Sequence, residues 1–276
     1  MLNFTSLLNE AKLPLLDVRL LRHQAYTQFT GYSSPYILWR DNPALFDAYQ
    51  ETQAFGSESK LRAKYWASFV ALPDVSTLFV GLYSVTGCRP LSQEEAYNQA
   101  GCKGEVACNL YTLEKSEFLN DLAGRLLIDW GAGYRSWIQR ADRQPKPILE
   151  LRKEFKEPEF LGFTRFISKL SDLDGLPNSW LTALSSTRGI YLLTCPKTKE
   201  QYVGSACGAA GFIGRWRDYA ITGHGGNVGL KNRDASDYQI SILETVGNSA
   251  SENDILSLET LWKSKLQSRE MGLNRN

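Results

Sequence analysis

A glutamate inside the apolar stripe of a helix needs an explanation, and Glu259 is such a residue. At helical spacing Ile255, Leu258, Trp262 and Leu266 share one face, and Glu259 falls within that arc. A carboxylate there is destabilising unless it is paired, hydrated at a cleft or bound to a cation. Lys263, four residues on, offers the ordinary pairing. Upstream, Arg215 and Tyr219 are four apart in FIGRWRDYA and so share a face, where an arginine fork can hold a phosphate with more directional control than a lysine. Tyr191 and Tyr202 each stand near one end of a short apolar run. A tyrosine hydroxyl both donates and accepts, so it can orient or deprotonate a water. Its ordinary pKa of about 10 suits a base at neutral pH only if nearby positive charge lowers it. His224, in Gly-His-Gly-Gly-Asn, can contact a phosphate or shuttle a proton.

These residues need a scaffold, and the sequence from Arg188 supplies one. A strand (GIYLLTC), a turn (PKTK), a strand (QYVGSA), a helix (FIGRWRDYAIT), the glycine-rich loop, a strand (YQISILETV) and a long helix from Asn253 to Arg269 follow in order. A short sheet with helices packed on it is an α/β or α+β module. Gly204 follows Tyr202 where the second strand is expected to hand over to the helix, and a side chain there would crowd the approach to the cleft. Each residue also has a plain structural reading: core tyrosines, a solvated helix arginine of which Arg217 is the example, a turn glycine, and for Asn274 a frayed tail.

GIY, YVG, the helix FIGRWRDYA, the GHGGN loop, YQISILE, LETLWKSKL and the final GLN together resemble the GIY-YIG nuclease family, in its homing and restriction endonuclease branch, in the family's order over residues 186–276. The resemblance implies that Glu259 is the sole protein ligand of a divalent metal, magnesium or in its place manganese, and that Arg215 holds the scissile phosphate. It makes Tyr191 the leading general base, Tyr202 a stabiliser of the water network, and Asn274 a brace of the metal site. Some relatives carry a histidine four residues after the arginine, where this chain has Tyr219, so Tyr219, His224 and Tyr191 stay open as the group that handles the proton. Water would attack in line while the metal stabilises the leaving oxygen. One such site cuts one strand, so double-strand cutting calls for a homodimer on DNA or repeated encounters.

The expected class is α+β in three parts: residues 1–150, a β-rich DNA-recognition domain; 151–185, a helical connector; and 186–276, the nuclease domain, a small mixed or antiparallel sheet flanked by helices. KYWASFVAL, PDVS and TLFVGLYSV read as a hairpin, and RLLIDWG and YRSWIQRA as further strands joined by Gly131-Ala132-Gly133, which together suggest a small antiparallel barrel or curled sheet. ILELRKEFKEPEF, LGFTRFISKLSDL and LPNSWLTAL read as connecting helices. A compact nuclease core has little surface for reading sequence, so the N-terminal part is the expected reader, by fold-level analogy a PUA-like barrel for modified bases. Its aromatics, Trp66, Phe69, Phe79, Tyr83, Trp130, Tyr134 and Trp137, are divided between core and a stacking platform. Arg135, Arg140, Arg143 and Lys146 read as a phosphate-contacting edge, with Arg217 and Lys231 as further DNA contacts.

The composition sets outer bounds. A 276-residue chain with 43% hydrophobic residues and a net charge of +1 forms a core and carries no global basic field, so nucleic acid must be met by a local patch. Five cysteines without a CxxC pair and two histidines leave zinc without ligands at usable spacing, and reduced thiols are expected. The N-terminal stretch lacks signal-peptide features and no apolar run reaches spanning length, so the expected location is cytoplasmic, away from membranes. The combined expectation is a magnesium-dependent endonuclease acting on double-stranded DNA, with or without modified bases, in restriction and phage defence. The alternatives are a nucleic-acid binding protein with an inactive nuclease fold, and a repair or mobile-element nuclease.

Overall fold

The computed structural model describes residues 2–24, 34–98, 107–133, 136–226, 230, 237–247 and 249–275. The chain divides into two units, Met1–Glu157 and Pro158–Asn276, each with its own sheet and helices, so the class is α+β.

The first unit holds helices α1 (Phe4–Glu10), α2 (Pro35–Asp41), α3 (Pro43–Glu51), α4 (Glu58–Leu61) and α5 (Gln93–Asn98). Its strands are β1 (Val18–His23), β2 (Thr52–Ala54), β3 (Tyr65–Ala71), β4 (Thr77–Pro90), β5 (Cys108–Lys115), β6 (Leu126–Ile128), β7 (Ile138–Arg140) and β8 (Ile148–Leu151). They form one sheet in the order β2-β5-β4-β3-β1-β7, from which β6 and β8 branch at β4. The expected hairpin is β3–β4, where Phe69 pairs with Phe79 and Val70 with Leu78. Trp66 to Val70 are all buried because both sheet faces are covered, which removes the alternation a one-sided strand would show. Side-chain caps from Ser34 and Asn42 start α2 and α3, each with a proline in the first turn where its missing amide is harmless.

Three expectations for this half are corrected. β1 and β3 run parallel, which is possible because α2, α3 and α4 lie on the crossover between them. RLLIDWG and YRSWIQRA contribute three strand residues each and do not pair with one another: β6 pairs with β4 and β8, and β7 with β1. ILEL is strand β8, not helix, because pairing with β6 overrides its local spacing. Cys88, Cys195 and Cys207 form no disulfide, whereas Cys108 is disulfide-bonded, against the expectation of reduced cysteines. Among the described residues no helix is long and apolar enough to cross a membrane.

The second unit contains β9 (Ile167–Lys169), α6 (Asn178–Ser185), β10 (Arg188–Thr194), β11 (Gln201–Ala206), α7 (Gly211–Thr222), β12 (Gln239–Val246) and α8 (Glu252–Lys265). Its antiparallel sheet runs β11-β10-β12-β9. Much of the expected connector belongs to this unit. β9 pairs with β12, and Phe166, Leu170, Leu173 and Trp180 enter its core. One face of the sheet packs on α7 through Tyr191, Tyr202, Phe212 and Trp216, the other on α8 through Ile190, Val203 and Ile255. Gly189 allows this sheet to close, since a Cβ there would lie 2.1 Å from the Glu244 carbonyl oxygen on β12. A reciprocal capping box of Ser251 and Asp254 fixes the start of α8.

Candidate active site

Strand alternation sends Tyr191 and Tyr202 toward α7, and one turn of that helix brings Arg215 and Tyr219 to meet them. The Tyr191 hydroxyl donates to the Tyr219 hydroxyl at 3.0 Å. Arg215 Nη2 donates to the same oxygen at 3.4 Å, and its guanidinium carbon lies 5.0 Å from the Tyr219 ring centroid. Tyr202 completes the group, its ring 6.2 Å from that of Tyr219. Packing holds the phenols in place: Trp216 stacks on Phe166 and meets the Tyr191 ring edge-on at 5.9 Å. Tyr191 and Tyr219 are fully buried, while the Arg215 side chain keeps 31% of its exposure. Arg215 is therefore where solvent or an anion meets this cluster.

Burial pushes the phenols of Tyr191, Tyr202 and Tyr219 well above the ordinary tyrosine range, and the pull of Arg215 in the other direction does not offset it. Arg215 alone therefore does not supply the lowering that a base at neutral pH would need. They are neutral donors and acceptors. For Arg215 itself burial opposes the charge, but the phenols of Tyr191 and Tyr219 outweigh it and the guanidinium is held protonated.

Gly204 lies inside β11, paired with Tyr191 across the ladder, and not at its handover to α7 as expected. The Tyr191 phenol fills the space that a Cβ would take, so the glycine serves the tyrosine. Gly225 plays a similar part on the other side, where a Cβ would come within 2.8 Å of the Tyr219 ring.

Val203 and Ser205 alternate with these residues along β11 and face α8. There the Glu259 carboxylate accepts a short hydrogen bond from Ser205 Oγ on Oε2, while Oε1 pairs with Lys263 Nζ at 2.7 Å. The two side chains are 10% and 5% exposed, so this is a buried ion pair. The apolar arc read from the sequence is present: Ile255 is fully buried, and Leu258, Trp262 and Leu266 pack beside it. Glu259 thus lies on the opposite face of β11 from the phenols. The edge strand links the two sites through Tyr202, whose phenol Glu259 pushes further up after burial and Tyr219 have done so.

A divalent ion implied at Glu259 does not fit this arrangement. Both carboxylate oxygens already accept from protein donors, and an ammonium stands on one of them. Among the described residues no group of three or more histidine, cysteine, aspartate or glutamate side chains offers another metal site.

Asn274 acts on the backbone. Its Oδ1 accepts from Val203 N and its Nδ2 donates to Val203 O, both at 2.9 Å, while Leu273 N donates to Gln201 O at 2.8 Å. Residues 272–274 therefore line the free edge of β11 along Gln201 to Val203. Gly272 allows the contact, because a Cβ there would lie 2.3 Å from Gln201 O. Asn274 is buried, which excludes a frayed tail.

No family model and no curated protein matches the chain. Among solved structures it is similar to the catalytic domain of homing endonuclease I-TevI. That domain is 25% identical with a TM-score of 0.27, over 32% of this chain and 98% of that one. An alanine mutant of the I-TevI catalytic domain is 26% identical with the same TM-score, over 33% of this chain and 94% of that one. A TM-score of 0.27 does not establish a common fold.

The remaining site expectations fall out unevenly. His224 lies in the turn after α7, where its Nδ1 accepts from Gly226 N at 2.8 Å. Arg217 is exposed and binds Asp174 with Nε and Nη2 at 3.2 and 3.1 Å. In the first unit Arg140 binds Asp142 with two nitrogens, at 2.9 and 2.7 Å, and Arg143 is exposed. Lys146 is no phosphate contact. It is buried, with Nζ donating to Trp130 O at 2.6 Å and lying 4.7 Å from the Trp130 ring centroid. Arg135, Tyr134 and Lys231 lie outside the described residues. Trp66, Phe69, Phe79, Tyr83 and Trp130 are buried, and Trp137 is half-buried beside His23. Ser205 was not among the expected site residues. Nothing in its local sequence marks it, since its partner is 54 positions away.

Proposed function

We propose that the chain is a nuclease that hydrolyses DNA phosphodiesters, with Pro158–Asn276 as its catalytic unit. The observation that carries this reading is Arg215, a partly exposed guanidinium set against three buried phenols, in the motif order that resembles the GIY-YIG nucleases. Its one carboxylate contact in α7 is a long one, 3.8 Å to Asp218, so the fork is ready to take a phosphate bidentately. Behind it Tyr219 and Tyr191 are neutral, so they orient water and stabilise developing charge by hydrogen bonds instead of removing a proton. His224 is the candidate proton acceptor. Its Nδ1 accepts the Gly226 amide, so in the neutral ring Nε2 bears the hydrogen and a proton would be taken at Nδ1, in place of that hydrogen bond.

No step is assigned to magnesium, because the carboxylate meant to hold it is occupied by Lys263 and Ser205. Recognition of the DNA, modified bases included, falls in this reading to the first unit. A half-open pocket of about 280 Å³ there, lined by Trp39, Asp47, Tyr83, Lys115 and Phe155, has room for a base. A restriction role is the biological form of this proposal, with a homodimer on DNA if both strands are cut.

The test is cleavage of plasmid and phage DNA, unmodified, methylated and hydroxymethylated, with Arg215→Ala as the control. Cutting that disappears in the variant supports the reading, and confinement to one modified substrate adds base recognition. Cutting that survives Arg215→Ala rejects the site. Binding without cutting on every substrate turns the assignment to a DNA-binding protein.

A further inference from the structure

The pocket in the first unit contains a carboxylate that the fold holds by one oxygen only. Asp47 Oδ1 accepts from the Tyr83 hydroxyl at 3.1 Å and from Gln50 Nε2 at 3.0 Å. Gln50 is itself fixed, since it is fully buried and its Oε1 accepts from the buried Ser68 hydroxyl at 2.8 Å. Ser68, Gln50 and Tyr83 thus set the direction of the carboxylate, and its Oδ2 has no hydrogen-bond partner among the described residues. Beside it Trp39 and Phe155 stand edge to face at 5.2 Å, both half-buried, and a Cβ on Gly124 would lie 3.2 Å from the Trp39 ring. Arg40 also lines the pocket but is already taken by Asp41 and Glu157, at 2.7 and 2.6 Å. Lys115 is exposed and forms no ion pair among the described residues.

We infer that this pocket binds a nucleobase carrying an exocyclic amine, with the phosphate of the same nucleotide at Lys115. A carboxylate oxygen accepts from the amino group of cytosine, adenine or guanine, and an aspartate is an ordinary partner of the cytosine amine. Thymine and uracil instead present one ring N–H between two carbonyls, whose oxygens would face the carboxylate. The half-buried aromatic pair offers a stacking surface that any base can use, so Asp47 is what selects. At about 280 Å³ the cavity falls just below the range of about 300–1,000 Å³ usual for ligand pockets, which suits one base and not a dinucleotide. An organic cation would also suit aromatic walls and a carboxylate. The exposed ammonium of Lys115 opposes it and favours an anionic group at the mouth. The inference deepens the base-recognition part of the proposed function and rests on that reading. Its ligand comes either as a free nucleotide or as a base turned out of the stack of a DNA strand.

The experiment is equilibrium dialysis of the full chain against dCMP, dAMP, dGMP and dTMP. These have no phosphodiester bond to cut, so its failure is separable from failure of the cleavage reading. At least one of the three amino-bearing nucleotides is expected to bind about tenfold or more tighter than dTMP. Asp47→Asn should lower that affinity about tenfold and close the gap to dTMP, because its amide can donate to a carbonyl. Lys115→Ala should weaken binding of the nucleotide and leave that of the matching nucleoside unchanged. Binding of dTMP equal to that of the other three overturns the inference, as does a preference that survives Asp47→Asn, or no binding of any of the four. Thermal unfolding checks that Asp47→Asn folds, and should it not, the selectivity of the native chain decides alone. Short duplexes with and without one mismatched copy of the preferred base then give the source. Tighter binding of the mismatched duplex, displaced by the mononucleotide, supports a base turned out of DNA. Equal binding that the mononucleotide leaves untouched supports a free nucleotide as the ligand.

Discussion

A Cβ on Gly204 would lie 2.5 Å from the hydroxyl oxygen of Tyr191 and 2.6 Å from the ring carbon that bears it. Real Cβ atoms do not approach so closely, and the tyrosine is fixed on its far side by Trp216 and Tyr219. Gly204→Ala should therefore destabilise the protein by about 1–3 kcal/mol, the range for overpacking. Urea unfolding measures it, with loss of DNA cleavage in parallel. In a double-mutant cycle with Tyr191→Ala the penalty should shrink, because the phenol is the obstacle. An equal penalty in both backgrounds would mean that the strain lies elsewhere.

Two arginines on α7 separate phosphate chemistry from general charge. Arg215→Lys should lower cleavage by about a hundredfold or more, since a lysine cannot reproduce the fork or its hold on Tyr219. Arg217→Ala breaks an exposed pair with Asp174 and should change stability by no more than about 1 kcal/mol. Cleavage rates at matched salt decide the matter. Similar losses in both variants would assign the helix to nonspecific DNA attraction.

Asn274→Ala removes two hydrogen bonds from a buried backbone group of β11. It should cost about 1–3 kcal/mol. Asn274→Asp should recover part of this, because Val203 N keeps its acceptor, while Val203 O loses its donor. Denaturant midpoints of the three proteins give the order directly.

The first unit carries a pH response of its own. Burial among Phe46, Tyr49 and Trp137 pushes the His23 imidazole down to about 3. Unfolded His23 takes up a proton as pH falls through about 6.5, while the folded form stays neutral until about 3, so the unfolded state binds more protons and stability falls with pH. The loss should reach about 2 kcal/mol by roughly pH 5 and continue toward the folded value. Unfolding free energies at pH 7, 6 and 5 measure the slope, which His23→Leu should remove. A native slope that persists in the variant would place the response at another group.

Which of these features could be read from the sequence follows from the distance over which each is determined. Glu259 in its apolar arc and the facing pair Arg215 and Tyr219 are set within one or two helical turns, and α8 and α7 place them as spacing implies. The β3–β4 hairpin was equally legible, because its turn and both apolar runs are contiguous. Ser205 as partner of Glu259, the space beside Gly204, and the placement of Glu259 and the phenols on opposite faces of β11 depend on strand register and helix docking between distant segments. No periodicity records those. The same holds for β8, where four residues with helical spacing pair with β6, and for Lys146, whose ammonium folds inward to Trp130. The phenol pKa shift needed the structure for a different reason: core burial was one reading of the tyrosines, but whether it outweighs the charge of Arg215 depends on how the helix and sheet pack.

Residues 272–274 along β11 have a bearing on self-association. An outer strand with open amides and carbonyls is a template for another copy of the chain, and such templates drive fibre growth and domain exchange. Asn274 occupies both hydrogen-bonding groups of Val203, and Leu273 takes the carbonyl of Gln201, so a stretch of that template is already used. A single carboxamide thus serves as a gatekeeper against the protein's own copies, and its loss would be felt in shelf life and yield as well as in folding.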